Sequence, residues 1–267
     1  MSTTLRVFVD GIAFWAPTLP GWEVARAAFG GDGMAVDPPL KRPSPDLLAP
    51  AERRRAPDSV ALALEVASAA ARDADRDPKT LASVFTSAHG DLAVNDYMCT
   101  TLATAPTQLS PTRFHNSVHN AASGYWTIGT GCHATSTALT AFGRSFAAGL
   151  LEAATQCATD GDAVLLVAFD VQAVGALSTV TKSDGLLATA LVLAPERGPR
   201  TRAGFELTLQ SGPADTVALR STAALALAGN AMADALPLFE ALAGASQATL
   251  TMPLSASLAL RLVPIAS

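Results

Sequence analysis

Asp162-Ala-Val-Leu-Leu-Val-Ala-Phe-Asp170 decides the fold class. Seven apolar residues between two acids are too few for a typical buried helix and suit a strand covered on both faces. Working outward, Leu186–Leu193 and Phe205–Gln210 read as further strands, as do Leu5–Val9 near the start and Thr80–Ser87. Helices are expected between them: from Val60 to about Ala71 after the start signal Pro57-Asp58-Ser59, from Leu92 to about Thr104, and from Thr135 to Thr155. Residues 30–58 are dense in Gly, Pro and Asp and predict a long loop. The tail predicts a helix near Asn230–Ala243 and a last strand near 248–252 or 258–263. Strands alternating with helices indicate an α/β fold, with a mixed, mainly parallel sheet covered by helices.

The chemistry is sought just upstream, in Trp126-Thr-Ile-Gly-Thr-Gly-Cys132-His-Ala-Thr-Ser-Thr-Ala-Leu139. It reads as a short strand, Trp126–Ile128, a small-residue turn, a lone cysteine, and then a long helix. A thiol at a helix N-terminus sits at the positive end of the macrodipole, beside free amides able to bind an oxyanion. Gly131 and Ala134 permit the sharp turn. By itself, a lone Cys between Gly and His is more often a small buried residue. His133 neighbours Cys132, but successive residues at a helix start point apart, so no Cys–His dyad is expected.

Composition narrows the function. The 267 residues are 49% hydrophobic and 15% charged, with a net charge of −5. That suits tight packing or wide subunit contact, although an alanine-rich composition bias would look the same. There is no nucleic-acid footprint. Arg53-Arg54-Arg55 is either a solvated edge or a landing patch for an acidic carrier protein. Cys99, Cys132 and Cys157 have no metal-type spacing and no even count, which predicts a reducing cytoplasm without disulfides or zinc. No signal peptide is expected, and no window approaches the ~20 apolar residues of a membrane span. Walker A, G-x-G-x-x-G, G-x-S-x-G, CxxC and H-E-x-x-H patterns do not occur.

Thr127-Ile-Gly-Thr-Gly-Cys-His-Ala-Thr-Ser136 resembles the nucleophile segment of β-ketoacyl synthases, in the thiolase superfamily. The order of Ser110–Trp126, Ala148–Ala153, Val164–Asp170 and Ser183–Ala194 resembles that family too, over residues 57–195. Gly229–Ala243 resembles the tail of the short ketosynthase-like, chain-length-factor proteins of aryl-polyene pigment systems. The resemblance implies one thiolase-like half-domain over 1–267, with 196–267 a short extension in place of the second half. It places Cys132 at the acyl-accepting position, Gly131 and His133 at the oxyanion turn, and Phe114, His115, His119, Tyr125 and Trp126 near an acyl tunnel or dimer interface.

Complete ketosynthases use two histidines from the second half to decarboxylate a malonyl group. Here the histidines are His89, His115, His119 and His133, with none beyond. The expected role is therefore a non-decarboxylating subunit paired with a full-length β-ketoacyl synthase. The alternative is a stand-alone acyltransferase using Cys132. His115 and His119 read as hydrogen-bonded loop residues rather than metal ligands. The implied partners are that synthase and an acyl carrier protein. No cofactor is implied beyond the phosphopantetheine that carries the substrate.

Overall fold

The computed structural model describes residues 4–33, 35–215 and 217–266. In chain order the elements are β1 (Thr4–Ala16), β2 (Leu19–Pro20), α1 (Trp22–Gly30), α2 (Pro50–Arg55), α3 (Asp58–Asp73), β3 (Ala82–Thr86), α4 (Leu92–Thr104), α5 (Pro111–His115) and α6 (Ala121–Thr130). There follow β4 (Ser136–Leu139), α7 (Ser145–Asp160), β5 (Val164–Asp170), β6 (Leu187–Ala194), β7 (Ala203–Ser211), α8 (Thr222–Leu225), α9 (Leu236–Ala243), β8 (Leu250–Pro253) and β9 (Leu258–Pro264).

One sheet runs β4-β3-β5-β6-β1-β7-β9-β8, with β2 pairing beside β1. It is mixed, as expected, with parallel ladders joining β4, β3 and β5. The remaining ladders are antiparallel, so the parallel share is smaller than the sequence suggested. β1 is long enough to serve two neighbours: its first half pairs with β7 and its second with β6, across a register shift between Val9 and Gly11.

Strand alternation builds two cores. In β5, Leu165, Val167 and Phe169 face α3 and α6, in a core that includes Leu62, Leu64 and Trp126. Val164, Leu166 and Ala168 face the opposite side, where α1, α7 and α9 supply Trp22, Phe146 and Phe239. Both faces being covered explains why this strand reads as an unbroken apolar run. The segment beyond residue 196 belongs to the second core, because Leu207, Leu250, Met252, Leu260 and Leu262 join the same cluster.

Three local expectations are corrected. Trp126–Ile128 is helical, within α6, because Ala121–Trp126 supplies an apolar face that docks on α3 and β3. The expected helix 135–155 splits into β4, a tight turn and α7. Its β-branched start, Thr135-Ser-Thr137, pairs with β3 instead. The long loop 30–58 also contains α2, so Arg53–Arg55 lie on a short helix.

Candidate functional site

The parallel strands β3, β4 and β5 all end on one side of the sheet, where α/β sheets gather their ligands. β4 leads through Thr140 and Ala141 into Phe142 and a single 3₁₀ turn, and α7 starts at Ser145. Phe142 has φ = 51°. Positive φ in a bulky non-glycine residue is strained, and a strained strand-to-helix turn is the geometry that lifts a nucleophile above a sheet. The turn is held on both sides. The Thr140 hydroxyl donates to the Ala88 carbonyl at 3.0 Å, Ser145 Oγ donates to the Phe142 carbonyl at 2.7 Å, and the Ala141 N–H donates to Ser145 Oγ at 3.0 Å.

The apex of the elbow is thus a phenyl ring, 72% exposed. It has no group that can accept an acyl chain. The amides behind it are also taken: Asp234 Oδ2 accepts from the N–H groups of Phe146 at 3.0 Å and Ala147 at 3.3 Å, at the start of α7. A carboxyl group from the tail therefore fills the anion site that the helix end would otherwise offer.

Around the elbow lies a polar scaffold. Asp170, at the end of β5, accepts from Ser87 Oγ at 2.8 Å and from the Ala88 N–H at 2.8 Å. Burial pushes its carboxyl up to about 6, against the pull of these hydrogen bonds. Burial likewise pushes Asp234 up to about 7, with the nearby Asp170 charge adding to the rise. Asn230 Nδ2 donates to the carbonyls of Asp184 at 3.0 Å and Asp170 at 3.4 Å. His89 contacts Thr181 Oγ1 through Nε2 at 2.6 Å, its ring centroid lies 6.4 Å from that of Phe142, and desolvation lowers its pKa.

Cys132 is elsewhere. It follows the αL cap Gly131 at the C-terminus of α6, where carbonyls rather than amides are free. It is 5% exposed, and its Sγ donates to the Leu81 carbonyl at 3.5 Å. The expected thiol at a helix N-terminus is therefore corrected: α6 ends before it and α7 begins well after it. Gly131 and His133 are exposed and form no oxyanion turn beside a nucleophile. Cys132→Ser should leave any activity of a purified complex within about twofold, and iodoacetamide should label Cys99 well before Cys132, by peptide mass spectrometry.

The other expected residues scatter. Phe114 is exposed on α5, and His115 stacks edge-on against Tyr125 at 6.2 Å. His119 Nε2 contacts the Ser87 carbonyl at 3.0 Å, bracing the loop under the elbow. Trp126 is a core residue, 1% exposed. Arg53 is occupied with the Leu48 carbonyl and Asp46, leaving Arg54 and Arg55 facing solvent on α2. Among the described residues, no three His, Cys, Asp or Glu side chains are placed to hold a metal, and no helix is long and apolar enough to cross a membrane. Phe142, Asp234 and Asn230 escaped the sequence reading; the signal for the first was the threonine-rich run Thr135–Thr140 just before Ala141-Phe-Gly143.

Comparison with known proteins bears on this geometry. The family model described as β-ketoacyl synthase, N-terminal domain, matches residues 33–255. A ketosynthase in complex with its chain length factor from Xenorhabdus doucetiae superposes with a TM-score of 0.74 at 23% identity, covering 97% of this chain and 99% of that one. A type II polyketide acyl-carrier protein in complex with its ketosynthase bound to the hexaketide gives 0.72 at 12% identity, over 98% and 100%. The ishigamide ketosynthase/chain length factor gives 0.70 at 15%, over 98% and 100%. No curated protein matches the sequence.

Proposed function

The chain belongs to the β-ketoacyl synthase N-terminal domain family, and from its elbow we propose that it is a non-condensing subunit that docks on a full-length β-ketoacyl synthase, in the manner of a chain length factor. The observation that carries this is Phe142 at the strained apex where a nucleophile would stand. With no acyl acceptor there and Asp234 filling the helix end, acyl loading and decarboxylation fall to the partner. The solved ketosynthase–chain length factor complex of similar fold supports the assignment.

The docking surface is the outer edge of β4, which ends the sheet, with no strand beyond it among the described residues. An open edge presents unpaired amides and carbonyls to another chain. Beside it α6 exposes Ile128 at 82%, and the elbow exposes Phe142. A partner strand across this edge would bury both. The pathway we assign is aryl-polyene or related fatty-acid-type polyketide synthesis in the cytoplasm, with intermediates carried on an acyl carrier protein. The three free thiols fit a reducing compartment. Cys132 lacks both a helix-start setting and access, so the stand-alone acyltransferase reading has no support in the geometry.

Co-expression with the ketosynthase encoded nearby, followed by native mass spectrometry, tests the proposal. A stable one-to-one complex is expected. A homodimer or monomer that ignores the ketosynthase would overturn it.

A further inference from the structure

Trp126 is 1% exposed, yet its indole Nε1 has no hydrogen-bond partner among the described residues. An indole N–H can only donate, and buried donors almost always find an acceptor. Trp126 lines a cavity of about 460 Å³, within the size range of small-molecule sites. The cavity lies between the last turns of α3 and α6, where Leu47 and Pro78 give it apolar walls. Residues 75–78 lead into β3, so this is the opposite end of the parallel strands from the elbow. The cavity shares no residue with the elbow or with the polar scaffold around it.

The charged side chains of the lining are committed, with one exception. Arg76 pairs with Asp10 at 3.1 Å, and Asp75 with Arg200 at 3.6 Å. Asp77 accepts from the Lys79 N–H at 3.0 Å. Arg72 makes no ion pair among the described residues, although Glu65, two turns back on α3, feels its charge. The carbonyls at both helix ends are also satisfied. Those of Ala70 and Arg72 accept from the Ala74 and Asp75 N–H groups, and those of Thr127 and Ile128 from Cys132 and Gly131. A buried N–H and an uncommitted guanidinium therefore line the same cavity. A carboxylate suits both, because its two oxygens can accept from both donors at once. A neutral carbonyl would leave Arg72 without a counter-charge. A dianion such as phosphate would stand beside Asp75 and Asp77 with one uncommitted cation to balance it.

We infer that this cavity binds a small organic monocarboxylate, with its oxygens on the Trp126 N–H and Arg72 and its alkyl part against Leu47 and Pro78. It is a second ligand site, remote from the elbow, and it stands whether or not the chain pairs with a ketosynthase.

The test is saturation-transfer NMR on the full chain with butyrate, a readout that tolerates self-association. Saturable binding is expected below about 10 mM. It should be about tenfold weaker for butyramide, the neutral isostere, and about tenfold weaker for Arg72→Gln. Arg72 is exposed, so that variant should melt close to the wild type. Trp126→Phe keeps an apolar ring, removes the N–H and should weaken butyrate binding about fivefold. Should that variant fail to fold, Arg72→Gln and butyramide still decide the matter. Inorganic phosphate at equal concentration should not displace butyrate. No saturable binding would mean that water alone serves the indole N–H, and would overturn the inference. Equal binding of butyramide, unchanged affinity in Arg72→Gln, or displacement by phosphate would each overturn it too.

Discussion

Ala138→Pro should weaken the complex with the ketosynthase roughly 100-fold or more while leaving the chain folded. Along β4, backbone groups alternate between the β3 side and the open edge. The carbonyls of Thr135 and Leu139 accept from Ser83 and Ser87, so odd-numbered residues turn their polar groups toward β3. By the alternation of a strand, Ser136 and Ala138 turn theirs outward, to the open edge. Proline at 138 removes an outward N–H and leaves the ladder to β3 in place. Thr137→Pro is the internal control, because its N–H faces β3 and its loss breaks the sheet. The expected contrast is a melting temperature near wild type for Ala138→Pro and a drop of several degrees for Thr137→Pro. Ile128→Glu probes the same surface from α6 without touching the strand, by placing a charge at a site that is 82% exposed in the chain alone. Unchanged affinity in both Ala138→Pro and Ile128→Glu, measured by surface plasmon resonance, would move the interface off this edge.

That edge shows how far sequence could be read here. β5 and β6 were legible because residues on both faces are buried, which leaves a continuous apolar string that a helix of that length would not need. α3 was legible because it starts at a clear signal, Pro57-Asp58, and the structure adds the Asp91 cap that starts α4. β4 was not. Ser136-Thr-Ala-Leu139 is short, half exposed and followed by alanine-rich helix, so its pattern merged with that of α7. A helix running from Thr135 would put Cys132 at its start, so the strand hidden in that pattern displaces the site as well. The family resemblance was sound, but the elbow belonged ten residues further on. What singles out Phe142 is a backbone angle, and φ is not written in residue type when the residue is one that ordinarily avoids that region. Asp234 was invisible for another reason, since its role depends on contact with residues far away in sequence, at the start of α7.

Asp234 also sets the second large effect, a stability that falls as pH rises. Although the residue is partly exposed, its Oδ1 is sealed from solvent and unpaired. Burial holds its carboxyl near 7 in the folded chain, against about 4 when unfolded. The folded state therefore binds a proton that the unfolded state releases, and its contribution is fully present below about pH 4 and lost as pH climbs to 7. Asp170, raised to about 6, acts in the same direction. His89, lowered by desolvation, acts oppositely below about pH 6.5. The difference between the folded and unfolded affinities of Asp234 for its proton amounts to about 4 kcal/mol at most, or roughly 8–16 °C in a chain of this size. Calorimetry on the wild type should show a melting temperature that declines from pH 4.5 to 8. Asp234→Asn keeps an oxygen for the Phe146 and Ala147 amides but cannot ionise, so its slope should be about half as steep, and at pH 8 it should melt above the wild type. An equal slope in the two proteins would show that the carboxylate is already ionised in the folded state. In that case the start of α7, and the elbow it anchors, is held by a charge rather than by a neutral acid.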